Sequence, residues 1–277
     1  MTDLQKVEFD ILKTVVEICD QLNLRYYLVC GSALGAVKYG GFIPWDDDID
    51  IGLPREDYEV FIQEAQELLP GYYFLQNYRT DKKFPLFMSK VRDSRTTFIE
   101  NVYKDIDMHH GVYIDIFPLD GYPKDQKEIV ALEKQKALSS RLRSVRYHYE
   151  TKNILSIGVR TTIYRVMYKV FGMYSDTARA VEKFDNVAKS FKIEDSDYIC
   201  NHSNWQGTIE YAPKWHYGEG AWTTFEGLRV KVPENFDAYL TQKYGNWRAD
   251  LPVSKRNSGH CIYKLDLNTS YSEYTKK

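Results

Sequence analysis

Two aspartates separated by one residue, Asp48 and Asp50 in Trp45-Asp46-Asp47-Asp48-Ile49-Asp50-Ile51, are the residues best suited to chemistry in this sequence. On an extended strand they project to one side, with Cα atoms roughly 7 Å apart, while Ile49, Ile51 and Leu53 turn to the other. Two carboxylates this close disfavour each other's charge, and a divalent cation is the simplest compensation. The alternative is a solvated acidic turn. A calcium loop is excluded by position: counted from Asp46, the sixth residue is Ile51 where glycine is needed and the twelfth is Asp57 where glutamate is expected.

A third carboxylate, Asp115, interrupts the apolar run from Val112 to Phe117. A charge in a buried strand needs a partner. If the strands are neighbours, Asp115 completes a triad able to bind metal or to take a proton from an attacking hydroxyl. Asp120 reads as a turn residue. Gly31-Ser32 follows a β-rich run, Arg25 to Cys30, and precedes a short helix through Val37 with Ser32 as its N-cap, so backbone N–H groups there can receive an anion. Lys90 and Arg92 alternate on one strand face, either to offset phosphate charge or as a solvated edge; both readings stay open. His260, near Lys255 and Arg256, is a further candidate phosphate contact, whereas His109-His110 reads as loop. Trp205, Trp215 and Trp222 could line a sugar or choline subsite, with core packing the expected role of each.

The elements that must position these groups follow from periodicity. Leu4, Val7, Ile11, Val15, Ile18 and Leu22 mark an opening helix that Asn23 can end. Pro54 to Leu69 is amphipathic, with Tyr58, Phe61, Ile62, Ala65 and Leu68 inward, and strands are expected at 48–53, 72–76, 86–92 and 112–117. Helices follow at Gln126 to Tyr149, Ile154 to Tyr174 and Thr177 to Phe191. A last one spans Val232 to Tyr244 with Pro233 near its start. The whole is an α+β chain with a mixed sheet, flanking helices and a helical insertion. It divides as 1–123, the catalytic core; 124–192, a helical region suited to acceptor recognition; and 193–277, packing on the core.

Composition narrows the class. Of 277 residues, 37 are basic and 39 acidic, a formal charge of −2 that offers no drive toward nucleic acid. The start, MTDLQKVEFD, lacks a signal peptide pattern, and no eighteen-residue apolar run is free of charge, so a cytoplasmic chain is expected. Cys19, Cys30, Cys200 and Cys261 form no paired motif and are expected as reduced, buried thiols. Arg160, Arg165 and Lys169 exclude a spanning segment at 154–174 but suit a helix at the inner face of a membrane; packing on the catalytic domain is the preferred reading.

Gly31-Ser32-Ala33-Leu34-Gly35 followed by Phe42-Ile43-Pro44-Trp45-Asp46-Asp47-Asp48-Ile49-Asp50-Ile51 resembles the signature of the LicD phosphocholine transferases, within the nucleotidyltransferase-fold superfamily. Asp115 in Ile114-Asp115-Ile116-Phe117-Pro118-Leu119 is similar to that family's third acidic motif, and Phe225-Glu226-Gly227 and Tyr244-Gly245-Asn246-Trp247, with Pro252, to its later segments. The resemblance implies transfer of a phospho-alcohol, typically phosphocholine from CDP-choline, to a hydroxyl of a glycan or its lipid-linked precursor. CDP-ribitol is the donor of fukutin-type relatives. It also implies Mg²⁺, or Mn²⁺ in its place, held by Asp48 and Asp50 and shared by Asp115, with Gly31 and Ser32 toward the donor; Lys90, Arg92 and His260 join them from the reading of the residues above. The nearest rivals are an Asp-x-Asp glycosyltransferase and a silent carbohydrate-binding scaffold.

Overall fold

The structure, a computed structural model, describes residues 1–137, 177–203, 210–256, 258 and 260–275. The expected helix at 154–174, with its membrane reading, lies outside them, as does Trp205. Most of the expected helical region at 124–192 does too; of it, 126–137 and Thr177–Ala188 are helical.

Helix α1 (Asp3–Gln21) opens with a capping box between Thr2 and Gln5 and ends at Leu22, with Asn23 taking the left-handed conformation that asparagine tolerates. Strand β1 is only Tyr27–Leu28, because Cys30 already begins α2 (Cys30–Tyr39) behind an extended Val29. Ser32 therefore lies inside the first turn instead of capping the helix. Strand β2 runs Asp50–Pro54 and passes without a loop into α3 (Arg55–Leu68), whose inner residues are Tyr58, Phe61 and Ala65; Leu68 is exposed and Leu69 takes the core position. Then come β3 (Tyr73–Gln76), β4 (Ser89–Asp93), β5 (Thr97–Glu100) and the ten-residue β6 (Val112–Gly121).

The main sheet has the order β1-β2-β6-β4-β3, with β2 and β6 parallel and the other pairs antiparallel. An α+β fold with a mixed sheet is what these pairings describe. Strand β4 is internal, so Lys90 and Arg92 do not lie on a solvated edge. One face carries Ile51, Leu53, Val91, Ile114 and Ile116, all fully buried. On the other, register sets Asp50 opposite Asp115, Asp115 opposite Lys90, and Tyr113 opposite Arg92.

The C-terminal part adds to this core. Strand β7 (Tyr198–Cys200) pairs with the end of β6 and with β8 (Tyr211–Pro213). A hairpin of β9 (Ala221–Phe225) and β10 (Leu228–Val232) packs on α2. Helix α4 (Thr177–Ala188) holds Val181 and Phe184 inward, and α5 (Phe236–Tyr244) starts four residues later than its pattern suggested because Val232 completes β10. Finally β11 (Ile262–Asp266) pairs with β5. The later motifs thereby reach the first: Glu226 N–H donates to the Gly40 carbonyl at 2.8 Å, its carboxylate accepts from Phe42 N–H, and the Phe42 and Phe225 rings lie 4.8 Å apart. Lys38 Nζ donates to the Trp247 and Ala249 carbonyls.

Asp120 is no turn residue: it is fully buried in β6 and takes two hydrogen bonds of 2.7 Å from Arg55, which also reaches Asp185 at 2.8 Å and so ties α3, β6 and α4 together. Cys19, Cys30 and Cys200 are buried free thiols; Cys261, also free, is exposed. Trp215 and Trp222 are exposed and not core residues, with Arg229 4.0 Å above the Trp222 ring. His109 and His110 are buried around Tyr271.

Candidate active site

The acids gather where β2 begins. The Asp50 N–H donates to Ser32 Oγ at 2.8 Å, its carbonyl accepts from Val29 N–H, and the Asp115 N–H donates to the Ile49 carbonyl at 2.8 Å. Ser32 therefore acts as a brace between helix and strand, which fixes Asp50 without spending its carboxylate. Gly31 and Ser32 lie in the first turn of α2, where backbone N–H groups have no intrahelical acceptor and can face an anion. A Cβ on Gly31 would stand 2.8 Å from Asp46 Oδ2, so glycine is what lets the acidic turn close over this helix end. Gly31→Ala is expected to displace Asp46 and cut turnover roughly ten- to hundredfold, while stability changes by less than about 1 kcal/mol, since a side-chain end can yield. Parallel rate and melting measurements check this.

Asp50 and Asp115 are buried, whereas Asp46, Asp47 and Asp48 are half-buried at the rim. Burial, then the charges of Asp46 and Asp115, push the Asp48 carboxyl up to about 8, with His260 opposing. Burial and Asp48 and Asp115 raise Asp50 well above the ordinary range, and burial lifts Asp46 to about 6. Asp115 is also raised by burial, with Lys90 opposing. Lys90 Nζ lies 2.7 Å from Asp115 Oδ1 and 3.3 Å from the Tyr113 ring centroid.

His260 joins the acids from the far end of the chain. Its Nδ1 is 2.7 Å from Asp47 Oδ1, and its Nε2 4.0 Å from Asp48 Oδ2. Burial alone would lower its pKa, but the bond to Asp47 and the charge of Asp48 raise it to about 9. Arg92 is placed differently from its expected role: it is 1% exposed, and it donates to the Gln76 side chain and, at 2.7 Å, to the Gly111 carbonyl. Its donors serve the protein interior, so it positions Tyr113 and the strand face.

Four further residues belong to this neighbourhood. Cys30 has a left-handed backbone (φ 52°), its N–H donating to Tyr239 Oη at 3.0 Å. Lys243 forms a buried ion pair with Glu210, and its charge acts on Asp50. Glu8, on α1, is buried beside the acidic turn. Lys243 and Glu210 left no local signal, because they meet only after folding. Glu8 had one: in Leu4, Glu8, Ile11, Val15 it occupies the apolar stripe at helical spacing.

The donor set suits a hard divalent cation: all ligands would be carboxylate oxygens, and burial and mutual charge raise the pKa values of Asp48 and Asp50. Among the described residues no three His, Cys, Asp or Glu side chains already meet at ligand spacing.

Residues 23–144 match the sequence model of a family described as "LicD/FKTN/FKRP, nucleotidyltransferase domain". Over 268 residues the chain is 26% identical to the lipopolysaccharide cholinephosphotransferase LicD of Haemophilus influenzae, covering 95% of this chain and 96% of that protein. Residues 23–144 thus carry a LicD-type nucleotidyltransferase domain. The ribitol 5-phosphate transferase FKRP of mouse is 46% identical over 43 residues, 16% of this chain and 9% of that protein. An uncharacterised protein of Rickettsia prowazekii, RP689, is 31% identical over 124 residues, 41% of this chain and 45% of its own length. Within the LicD domain lie every acidic residue from Asp46 to Asp50, Asp115, Gly31, Ser32, Lys90 and Arg92; His260 lies outside it.

Proposed function

We propose that this chain is a metal-dependent phosphotransferase that moves a phospho-alcohol, phosphocholine from CDP-choline, to a hydroxyl of a cell-surface glycan or its lipid-linked precursor, and releases CMP. The observation that carries this reading is the juxtaposition of Asp50 and Asp115 across one parallel strand pair, beside Asp48 and the first turn of α2. The likeness to a lipopolysaccharide cholinephosphotransferase along nearly the whole chain supports the donor and acceptor class. The shorter likeness to a ribitol 5-phosphate transferase keeps CDP-ribitol as the second reading.

Asp48, Asp50 and Asp115 would hold Mg²⁺, with Mn²⁺ able to replace it. Bound there, the ion would offset charge on the pyrophosphate and on departing CMP. The chain's own residues do the rest. The α2 N-terminus at Gly31 and Ser32 receives a phosphate oxygen, with His260 at the rim as a second cationic contact. Asp115 accepts the proton of the acceptor hydroxyl as its oxygen bonds to the phosphorus carrying the alcohol and the bond to the CMP phosphate breaks. Lys90 holds Asp115 in place and opposes the rise in its pKa that burial causes.

Asp115→Asn is expected to lower kcat more than it raises the donor KM. It also lowers stability, because it strips the buried Lys90 ammonium of its counter-charge. Steady-state kinetics with unfolding curves check both. Donor identity is tested by incubating the chain and Mg²⁺ with CDP-choline, CDP-ribitol, CDP-glycerol, CDP-ethanolamine, and UDP- and GDP-sugars. CMP formed fastest from CDP-choline is expected. UDP or GDP release would make it a glycosyltransferase, and absence of both binding and turnover would leave a silent scaffold. Among the described residues no helix is long and apolar enough to cross a membrane.

A further inference from the structure

Glu8 is a buried acidic side chain near the centre that belongs to none of the motifs. It is 1% exposed, and its Oε2 has no hydrogen-bond partner. It lies one turn beyond Gln5, whose Nε2 donates to the Asp46 carbonyl at 2.8 Å, so this stretch of α1 is braced directly against the acidic turn. The same helix packs on β6, which carries Asp115, and on β4, which carries Lys90. After burial, the influences on Glu8 are the charges of Asp48, Asp47, Asp46 and Asp115, all raising its pKa.

A buried carboxyl whose Oε2 has no hydrogen-bond partner, and whose strongest electrostatic neighbours are acidic, is costly in any helix, and replacing it by an apolar residue would complete the stripe that Leu4, Ile11 and Val15 begin. Its retention is explained by something that enters the acidic turn carrying positive charge. Mg²⁺ keeps several of its waters when bound, and carboxylates beyond its direct ligands hold those waters in place.

We infer that Glu8 is a positioning residue of the divalent-cation site, accepting hydrogen bonds from water on the cation that Asp48 and Asp50 hold. The inference rests on the proposed metal-dependent reading of those aspartates. It makes α1, which begins outside the LicD domain match at residues 23–144, part of the catalytic apparatus and not only a packing helix.

The test is Mn²⁺ binding by calorimetry to the wild-type chain and to Glu8→Gln, with melting temperatures of both in EDTA. Wild type is expected to bind Mn²⁺, and Glu8→Gln to bind it about ten- to a hundredfold more weakly, the range typical for groups that hold a metal's ligands from behind. In EDTA the variant is expected to melt at the wild-type temperature or above it, because a neutral amide replaces a side chain surrounded by like charge. Equal Mn²⁺ affinity in the two proteins would overturn the role of Glu8 and leave the aspartate site standing. A variant that melts well below wild type in EDTA would make Glu8 a folding residue and overturn the inference equally. Failure of the wild type itself to bind Mn²⁺ would remove both the inference and the metal-dependent reading beneath it.

Discussion

Asp50→Asn is expected to reduce phospho-alcohol transfer at least about a thousandfold, on the order of 4 kcal/mol of transition-state stabilisation, while the protein folds as before. The position is fixed through its backbone: the N–H is held by Ser32 Oγ and the carbonyl by Val29, and neither bond involves the carboxylate. The side chain itself adds a buried charge beside Asp48 and Asp115. Removing that charge with an amide of the same shape relieves repulsion, so the melting temperature should hold or rise as activity disappears. Single-turnover rates and thermal unfolding at saturating Mg²⁺ check the pair of outcomes. A fully active Asp50→Asn protein would remove Asp50 from the site.

The opposite signature is expected at Arg55. Its guanidinium makes two 2.7 Å bonds to Asp120 and one of 2.8 Å to Asp185, and both carboxylates are buried. Arg55→Met leaves the buried Asp120 without its cation and Asp185 with only Arg79, at 3.8 Å, which costs about 3–5 kcal/mol, a fall of roughly 10 °C in melting temperature. Combining it with Asp120→Asn and Asp185→Asn should restore much of the loss, because the uncompensated charges go with their partner. Denaturant unfolding of the single and triple variants decides between this and a purely local packing effect.

The two positions also mark how far a linear reading reaches. Asp50 and Asp115 were legible because strand alternation tells which side chains share a face, and a charge in an apolar run demands a partner; parallel pairing then set them opposite each other. Asp120 was misread because it stands close to Gly121 and Pro123, which look like a turn, whereas β6 continues through it and its partner Arg55 is 65 residues away. Ser32 was misassigned for a related reason: a Gly-Ser step after a β-rich run looks like a cap, but Cys30 adopts a left-handed conformation and starts the helix two residues earlier. Alternation put Lys90 and Arg92 on one face correctly and said nothing of depth. Only the strand order shows that β4 is internal and that Arg92 spends its donors on Gln76 and Gly111. His260 was singled out by its basic neighbours Lys255 and Arg256, and its pairing with Asp47 comes from a contact between positions 213 residues apart.

Phosphorus NMR of the chain with CDP-choline, Mg²⁺ and a lipopolysaccharide acceptor tests the central claim most directly. The pyrophosphate signals should decay while a CMP monoester and a new phosphodiester on the acceptor grow in equal amounts, with EDTA or Asp50→Asn stopping all three changes. Decay of CDP-choline at the same rate in EDTA or in Asp50→Asn, or CMP formed without any acceptor phosphodiester from any CDP-alcohol, would contradict a metal-dependent transferase built on these aspartates.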